Sequence, residues 1–551
     1  RPGCAGGVRA DRGGTGASRR PGRLLRARVR VDDNAVVRVA LIPFVLVATL
    51  LGACGDGPSA ADPAAPAAAD PDAELQAKLD RNCALCHRLP TPDILPRDAW
   101  RTTIDKMYRL ANVRLTGVYE HRILGFTPAE AAEWFAERAP ESFGVLRTEL
   151  DPGRAAPPFA RHVLLPETSS KRPPGVCNVR MLALDGGDAP ARLVVSDMLG
   201  GRVLLGDPLA PGATLRTCAR LPAPSRVEAR DLARDGRPDL LVADLGDAGP
   251  TDDRLGSLVW LRRTGADAFE VHELAGRLGR VADLRAVDLD ADGDLDIAAA
   301  VFGWYSTGEI LVLWNDTPDG AAEPVFRPER LDERSGAMNI PVTDIDGDGR
   351  LDLVTIYSQE HERVVAYLQV MPGKFAARDL WIAPHPHWGF TNMELVDLDG
   401  DGDQDLVVTN GDTLDDEIKL KPYHGVGWLE NRGGLEFVYH RIAAYPGAHV
   451  VRAADVDGDG DLDLVAGAFL PAVEDTPETP LPPGLLLLEQ TAPGRFAAVG
   501  LRDGGCGVAT LDVADLNADG RPDLLAGALF VQPPFPESWE HLVEVLVSRE
   551  E

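Results

Sequence analysis

Cys83-Ala84-Leu85-Cys86-His87 carries two thiols and, directly after the second, an imidazole. This C-x-x-C-H spacing lets two thioether bonds form to a porphyrin while the imidazole binds its iron, which is c-type haem attachment. A second chemistry is written in aspartates. Asp288-Leu289-Asp290-Ala291-Asp292-Gly293-Asp294-Leu295-Asp296 sets alternate carboxylates around a glycine that permits a sharp turn. Position 7 adds a backbone carbonyl, and hard oxygens at this density suit Ca2+.

The aspartate pattern repeats. It returns as Asp344, Asp346, Asp348, Arg350 and Asp352, as Asp397, Asp399, Asp401, Asp403 and Asp405, and as Asp455, Asp457, Asp459, Asp461 and Asp463. A fifth copy has one Asn: Asp515, Asn517, Asp519, Arg521 and Asp523. An earlier copy starts at Asp231, but Ala233 replaces its position-3 ligand and leaves that site incomplete. About five Ca2+ sites are expected. They are not EF-hands, since position 12 of the first is Ala299 and apolar strand-like runs flank each loop. The expected role is structural, because bound calcium cancels clustered charge and couples to folding.

Around Cys83 the pattern is helical, over Ala73 to Arg81 and Arg97 to Ala111, with a third helix opening at Thr127-Pro128-Ala129-Glu130, a capping box with Pro in the first turn. Residues 72–145 read as a small all-α, cytochrome c-like domain with one covalent haem, and so marginal a core gains from a bound cofactor. Alternatives for the two thiols are a redox pair or half of a zinc site, but no other Cys lies in this segment. Met107 shares a helix face with Trp100 and Ile104 and is the expected sixth iron ligand. His121 is its rival, an open site is the third option, and Met107 could instead only pack on the ring.

Upstream, Val39 to Leu51 is an apolar run behind several arginines and ends in Leu51-Gly52-Ala53-Cys54. A basic stretch, a short apolar run and small residues describe a signal peptide. The ending resembles the lipobox of bacterial lipoproteins, which implies lipidation at Cys54; a plain signal peptide or an anchor helix are the other readings. Residues 1–53 are then leader, and 54–71, rich in Ala and Pro, a linker. The chain is expected to be exported and lipid-anchored, facing the periplasm or cell surface. The net charge of −30 over 551 residues argues against nucleic-acid partners. No apolar run suits a polytopic membrane protein.

Residues 159–551 consist of repeats with room for four short strands each. Their markers are the Asp loops and a strand-opening Phe at Phe269, Phe326, Phe375, Phe437 and Phe496. A degenerate unit around Leu184 to Asp197 brings the number of units to seven. The fold expected is mainly β, a seven-bladed propeller. Phe159 to Leu165 looks like a fourth strand displaced to the front, able to complete the last blade and remove an exposed edge. The repeats resemble FG-GAP/VCBS repeats of integrin-type propellers, and the whole layout resembles bacterial VCBS-repeat lipoproteins with an N-terminal c-type haem segment. The resemblance implies no particular activity.

Loops after each second strand should gather on the propeller face opposite the Asp loops, together with His385-Pro386-His387-Trp388. Candidate ligand residues there are Trp304, His361, His387, Asp415, Asp416, Lys421, Tyr423 and His424. Cys177 and Cys506 occupy similar places in neighbouring units, so a disulfide is an open option. The functional expectation is a monohaem electron-transfer protein with a redox partner protein, whose calcium-stabilised propeller binds a partner or ligand. The alternatives are a periplasmic oxidoreductase that passes electrons to its own haem, and a non-redox adhesion or glycan-binding propeller.

Overall fold

A computed structural model of the chain describes residues 71–84, 88–114, 125–168, 172–186, 189–318, 321, 323–414, 420–471, 473, 476, 480–502, 505–531 and 541–549. Cys54, Cys86, His87, His121, Asp415 and Asp416 lie outside the described residues, as does the leader.

Three helices come first: α1 (Pro71–Cys83), α2 (Ala99–Arg114) and α3 (Pro128–Arg138). The start of α3 follows from its capping box. The Thr127 hydroxyl accepts from the Glu130 amide at 3.2 Å, and the Glu130 carboxylate accepts from the Thr127 amide at 2.6 Å. The helix α2 runs to Arg114, beyond the Ala111 that the apolar periodicity predicts. The helices share one small core of Leu79, Leu95, Trp100, Trp134 and Phe135. Trp100 and Phe135 stack there with ring centroids 4.1 Å apart, and the Trp100 indole donates to the Pro92 carbonyl at 3.0 Å. Among the described residues, no helix is long and apolar enough to cross a membrane.

The remainder is β. Five four-stranded sheets follow sequence order, and an eight-stranded sheet joins the first repeat to the last. In one of the four-stranded sheets the strands are Val281–Val287, Asp296–Val301, Glu309–Asn315 and Phe326–Asp332, all antiparallel. The second strand of this sheet is wholly buried and the fourth only partly so. Second strands therefore read as continuous apolar runs, because neighbouring sheets cover both of their faces. The core consists of these sheet-to-sheet layers, as where Val354, Ile356 and Val364 meet Phe390, Leu406 and Val408 of the next sheet. Only the first strand at Val342–Thr343 is short, since Pro341 precedes it and cannot donate to a ladder.

The strand Phe159–Pro166 pairs antiparallel with Val543–Ser548, from Phe159 opposite Ser548 to Leu164 opposite Val543. The N-terminal strand thus completes the last sheet, as its pattern predicts. It also touches the first sheet through Leu165 and Thr214, which merges the two. Cys177 and Cys218 are free thiols, so no bridge joins Cys177 to Cys506. The Cys177 thiol lies 3.2 Å from the Pro224 carbonyl, and that of Cys506 lies 3.5 Å from the Pro482 carbonyl. Burial pushes the Cys177 and Cys218 thiols up to about 12, which leaves both unreactive.

On the joining strand Leu164 is 1% exposed and Val163 49%. Leu164→Ala is expected to lower the unfolding free energy by about 2–5 kcal/mol. Val163→Ala is expected to change it by no more than about 0.5 kcal/mol. Urea unfolding of the two variants beside the parent checks both values.

Candidate functional site

Each Asp loop joins the first and second strands of a sheet. Its position-6 glycine has φ of 85 to 98° in all six copies (Gly236, Gly293, Gly349, Gly402, Gly460 and Gly520), a conformation that only glycine adopts without strain. The position-1 carboxylate wraps the turn. In the loop at Asp288 it accepts from the Asp292 amide at 3.1 Å and the Gly293 amide at 2.9 Å. The position-5 carboxylate accepts from the position-7 amide, at 2.9 Å for Asp292 and Asp294 and at 3.0 Å for Asp348 and Arg350. Position 2 is a buried apolar residue in Leu289, Ile345, Leu398 and Val456, which pins the loop to the core.

With the turn held, carboxylates converge. Asp288, Asp290 and Asp296 place ligand atoms within 4.8 Å of one another, as do Asp344, Asp346 and Asp348, Asp397, Asp399 and Asp405, and Asp455, Asp457 and Asp463. Four of the five sequence-predicted loops therefore gather three carboxylates each among the described residues. The fifth keeps the turn, with Asp515 accepting from the Gly520 amide at 2.8 Å. There the Asn517 amide group donates to the Asp519 carboxylate, and Arg521 pairs with the same carboxylate at 3.4 Å. Arg350 pairs with Asp348 and Arg234 with Asp294. Burial and the neighbouring aspartates push Asp296, Asp352 and Asp463 up to about 6. Asp290 and Asp399 are raised for the same two reasons, and Asp405 is raised chiefly by burial. Negative charge is thus confined where a cation would relieve it.

Position 9 does more than its place in a ligand pattern suggests. Asp296 accepts from the Leu289 amide at 3.1 Å and from the Asn315 amide, at the end of the third strand, at 2.8 Å. Asp352, Asp405, Asp463 and Asp523 make the same pair of bonds. The third-strand partner is an amide residue in Asn315, Gln369, Asn431 and Gln490, and its side chain reaches loop carbonyls in turn. Gln369 donates to Leu351 at 2.8 Å and to Leu289 of the preceding loop at 2.9 Å. An Asn or Gln recurring at that strand end is a signal in the sequence that a ligand search passes over.

The opposite ends of the sheets carry the expected loop face. A cavity of about 80 Å³ there is lined by Tyr305, Gln359, Glu360, Glu362, His387, Asp412 and Lys421, and by Thr103, Lys106 and Met107 of α2. The structure thus brings His387 and Lys421 together beneath the helical segment. Trp304 stacks on Tyr305 at 4.3 Å, and His361 meets Tyr357 edge-on at 6.1 Å. Tyr423 is packed 4.4 Å from His385 and stacks on Trp388 at 5.9 Å, and His424 is fully buried. His424 therefore belongs to the packing beneath the face, whereas Tyr423 is partly buried at its edge. Glu362, which sequence reading passed over, is buried, accepts from the Phe390 amide at 3.1 Å and is raised well above the usual carboxylate range by that burial. Burial lowers His385 to about 3 and His449 to about 4, so both imidazoles are neutral.

Residues 288–355 and 344–408 match the family model of the FG-GAP-like repeat. The chain carries FG-GAP-like repeats in a β-propeller fold. Similar solved structures include BBS1N in complex with ARL6DN, at 13% identity and a TM-score of 0.40, covering 72% of this chain and 98% of that one. A streptogramin B lyase has 11% identity and a TM-score of 0.42, over 71% and 98%. An α-L-arabinanase of Penicillium chrysogenum complexed with arabinobiose has 12% identity and a TM-score of 0.35, over 59% and 92%. No curated protein sequence matches the chain.

The raised aspartates set a pH dependence. A carboxyl whose folded pKa lies above its unfolded value destabilises the fold when ionised, and that cost disappears as pH falls. In EDTA the thermal midpoint is therefore expected to rise from pH 7 to pH 5. With saturating Ca2+ the midpoint is expected to be higher at pH 7 and to fall over the same range, as protons displace the ion. Scanning calorimetry in the two buffers checks the opposed slopes.

Proposed function

We propose that this chain is an exported, lipid-anchored, monohaem c-type electron-transfer protein whose calcium-stabilised propeller of seven blades carries the haem segment on its loop face. Seven is the number of four-strand units when the eight-stranded sheet is divided between the first and last repeats. The observation that carries the reading is the position of Cys83. It closes α1, and its side chain packs against the apolar cluster of Leu79, Trp100 and Phe135. An apolar wall beside the first thiol of C-x-x-C-H suits a porphyrin face. Trp134 adds a buried indole N–H with no partner among the described residues. By residue type, Cys83 and Cys86 would hold the group, His87 would ligate the iron, and Met107 is the sixth-ligand candidate. Haem supplies one-electron redox chemistry when bound.

Met107 departs from the plainest form of that expectation. Trp100 enters the helical core and Ile104 packs on it, whereas Met107 lines the cavity against Tyr305 and His387 of the propeller. The helical segment thus meets propeller loops through Thr103, Lys106 and Met107 of α2. The loop face then serves first as a mount for the chain's own redox segment. Export, lipidation at Cys54 and the redox partner rest on the sequence. Four three-carboxylate clusters support calcium as the propeller's ion.

The test is a haem stain on a denaturing gel, with the protein produced alongside a c-haem maturation system. The parent band is expected to stain and the Cys83→Ala/Cys86→Ala band to remain blank. An unstained parent would sink the electron-transfer reading.

A further inference from the structure

The first strands of the sheets surround an axial cavity of about 280 Å³. Most polar groups on these strands are committed to joining neighbouring sheets. Asp512 accepts from the Met181 amide at 2.7 Å, Glu228 from the Ala286 amide at 2.8 Å, and Glu394 from the Ala453 amide at 3.4 Å. Two residues earlier on the strands, Thr510 accepts from the Val179 amide at 3.3 Å, Asp283 from the Ile340 amide at 3.0 Å, and Asn392 from the Val451 amide at 3.2 Å.

Four arginines line the same cavity: Arg180, Arg226, Arg285 and Arg452. Two of them are tied down. Arg285 donates to Asp283 and to the Leu284 carbonyl, both at 2.6 Å. Arg452 donates to Glu394 at 2.9 Å and to the Val451 carbonyl at 2.7 Å. The side chains of the other two make no hydrogen bond among the described residues. Arg180 approaches Asp512 only to 3.7 Å, and its Nε is buried without a partner. Arg226 approaches Asp283 only to 3.5 Å, and Asp283 already accepts from Arg285 and from the Leu284 and Ile340 amides.

Four carboxylates, Asp283, Glu228, Glu394 and Asp512, lie on these first strands, but Glu228 pairs with a fifth arginine, Arg230, at 2.5 Å. What is missing is acceptor atoms, since each guanidinium carries five N–H donors in a fork that suits planar oxyanions. Asn178, two residues before Arg180 on the same strand and 1% exposed, has both amide atoms without partners. Asn339, which lines the cavity, has an unpartnered amide oxygen. Amide groups of this kind turn to suit either a donor or an acceptor.

We propose that the axial cavity is a binding site for one small oxyanion, clamped between Arg180 and Arg226 of adjacent sheets. Burial, together with crowding by Arg285, Arg180 and Arg452, lowers Arg226 to about 9, and a bound anion would relieve that strain. The site lies on the sheets' inner strands, apart from the Asp loops and from the loops beneath α2. It is independent of the haem reading.

Isothermal titration of the full calcium-loaded chain tests it. One arm uses sodium sulfate and another sodium acetate, each against chloride at equal ionic strength, so that inorganic and carboxylate sources are separated. The expected result is one saturable site per chain in at least one arm. Arg226→Gln and Arg180→Gln should each weaken it by about tenfold or more. Arg237→Gln, in an exposed Asp loop, should leave it unchanged. No saturable binding in either arm, or unaltered binding in the two cavity variants, overturns the proposal. Should Arg226→Gln fail to fold, Arg180→Gln decides alone.

Discussion

The propeller depends on a buried aspartate that holds two backbone amides. Asp239, Asp296, Asp352, Asp405, Asp463 and Asp523 each begin a second strand, and all are almost fully buried. One oxygen takes an amide from the end of the third strand and the other takes an amide from the loop. A buried ionised carboxylate is costly unless its lone pairs are filled, and here the backbone fills them. The loop at Asp231 keeps this clamp although its position-3 ligand is gone. Local hydrogen bonding therefore builds the turn, and the convergence of carboxylates follows from it.

That convergence concentrates negative charge at one end of the sheets. Three carboxylates within 4.8 Å repel one another in four loops, and the chain as a whole carries −30. A divalent cation would remove that repulsion, and in three of the loops the clamp aspartate (Asp296, Asp405 or Asp463) is itself one of the three carboxylates. Between sheets the joints are polar as well as apolar. Gln369 and Gln490 link successive loops, while Asp512, Glu228 and Glu394 link successive first strands. At the opposite face, α2 rests over His387, Lys421 and the buried Glu362. One end of the sheets is thus organised by charge and the other by a covering helix.

Features legible in the sequence were those with a local, repeated cause. Alternate aspartates around a glycine, the strand-opening Phe residues and the capping box at Thr127 each state their own geometry within a few residues. The displaced strand at Phe159 was also legible, because the last repeat lacked a fourth strand of its own. Contacts across repeats were not. The amide of Val451 meets Asn392, and that of Met181 meets Asp512, pairings that only a closed sheet order creates. His424 ends a polar loop in the sequence, yet it is fully buried, while Tyr423 beside it packs on Trp388 and His385 and stays partly exposed. Met107 sat on one apolar stripe with Trp100 and Ile104, and nothing in that stripe told the helical core from the propeller loops. Cys177 and Cys506 occupied similar repeat positions, but their surroundings hold the two thiols against different carbonyls.

The central claim is that the clustered loop carboxylates hold calcium. Metal content per chain tests it most directly, by mass spectrometry of the purified protein after equilibration with Ca2+ and removal of unbound ion. The account predicts at least four calcium ions per chain, one for each three-carboxylate cluster, with the number falling by one in Asp290→Asn. A calcium-equilibrated protein that retains no calcium, and whose folding is indifferent to EDTA, would contradict it.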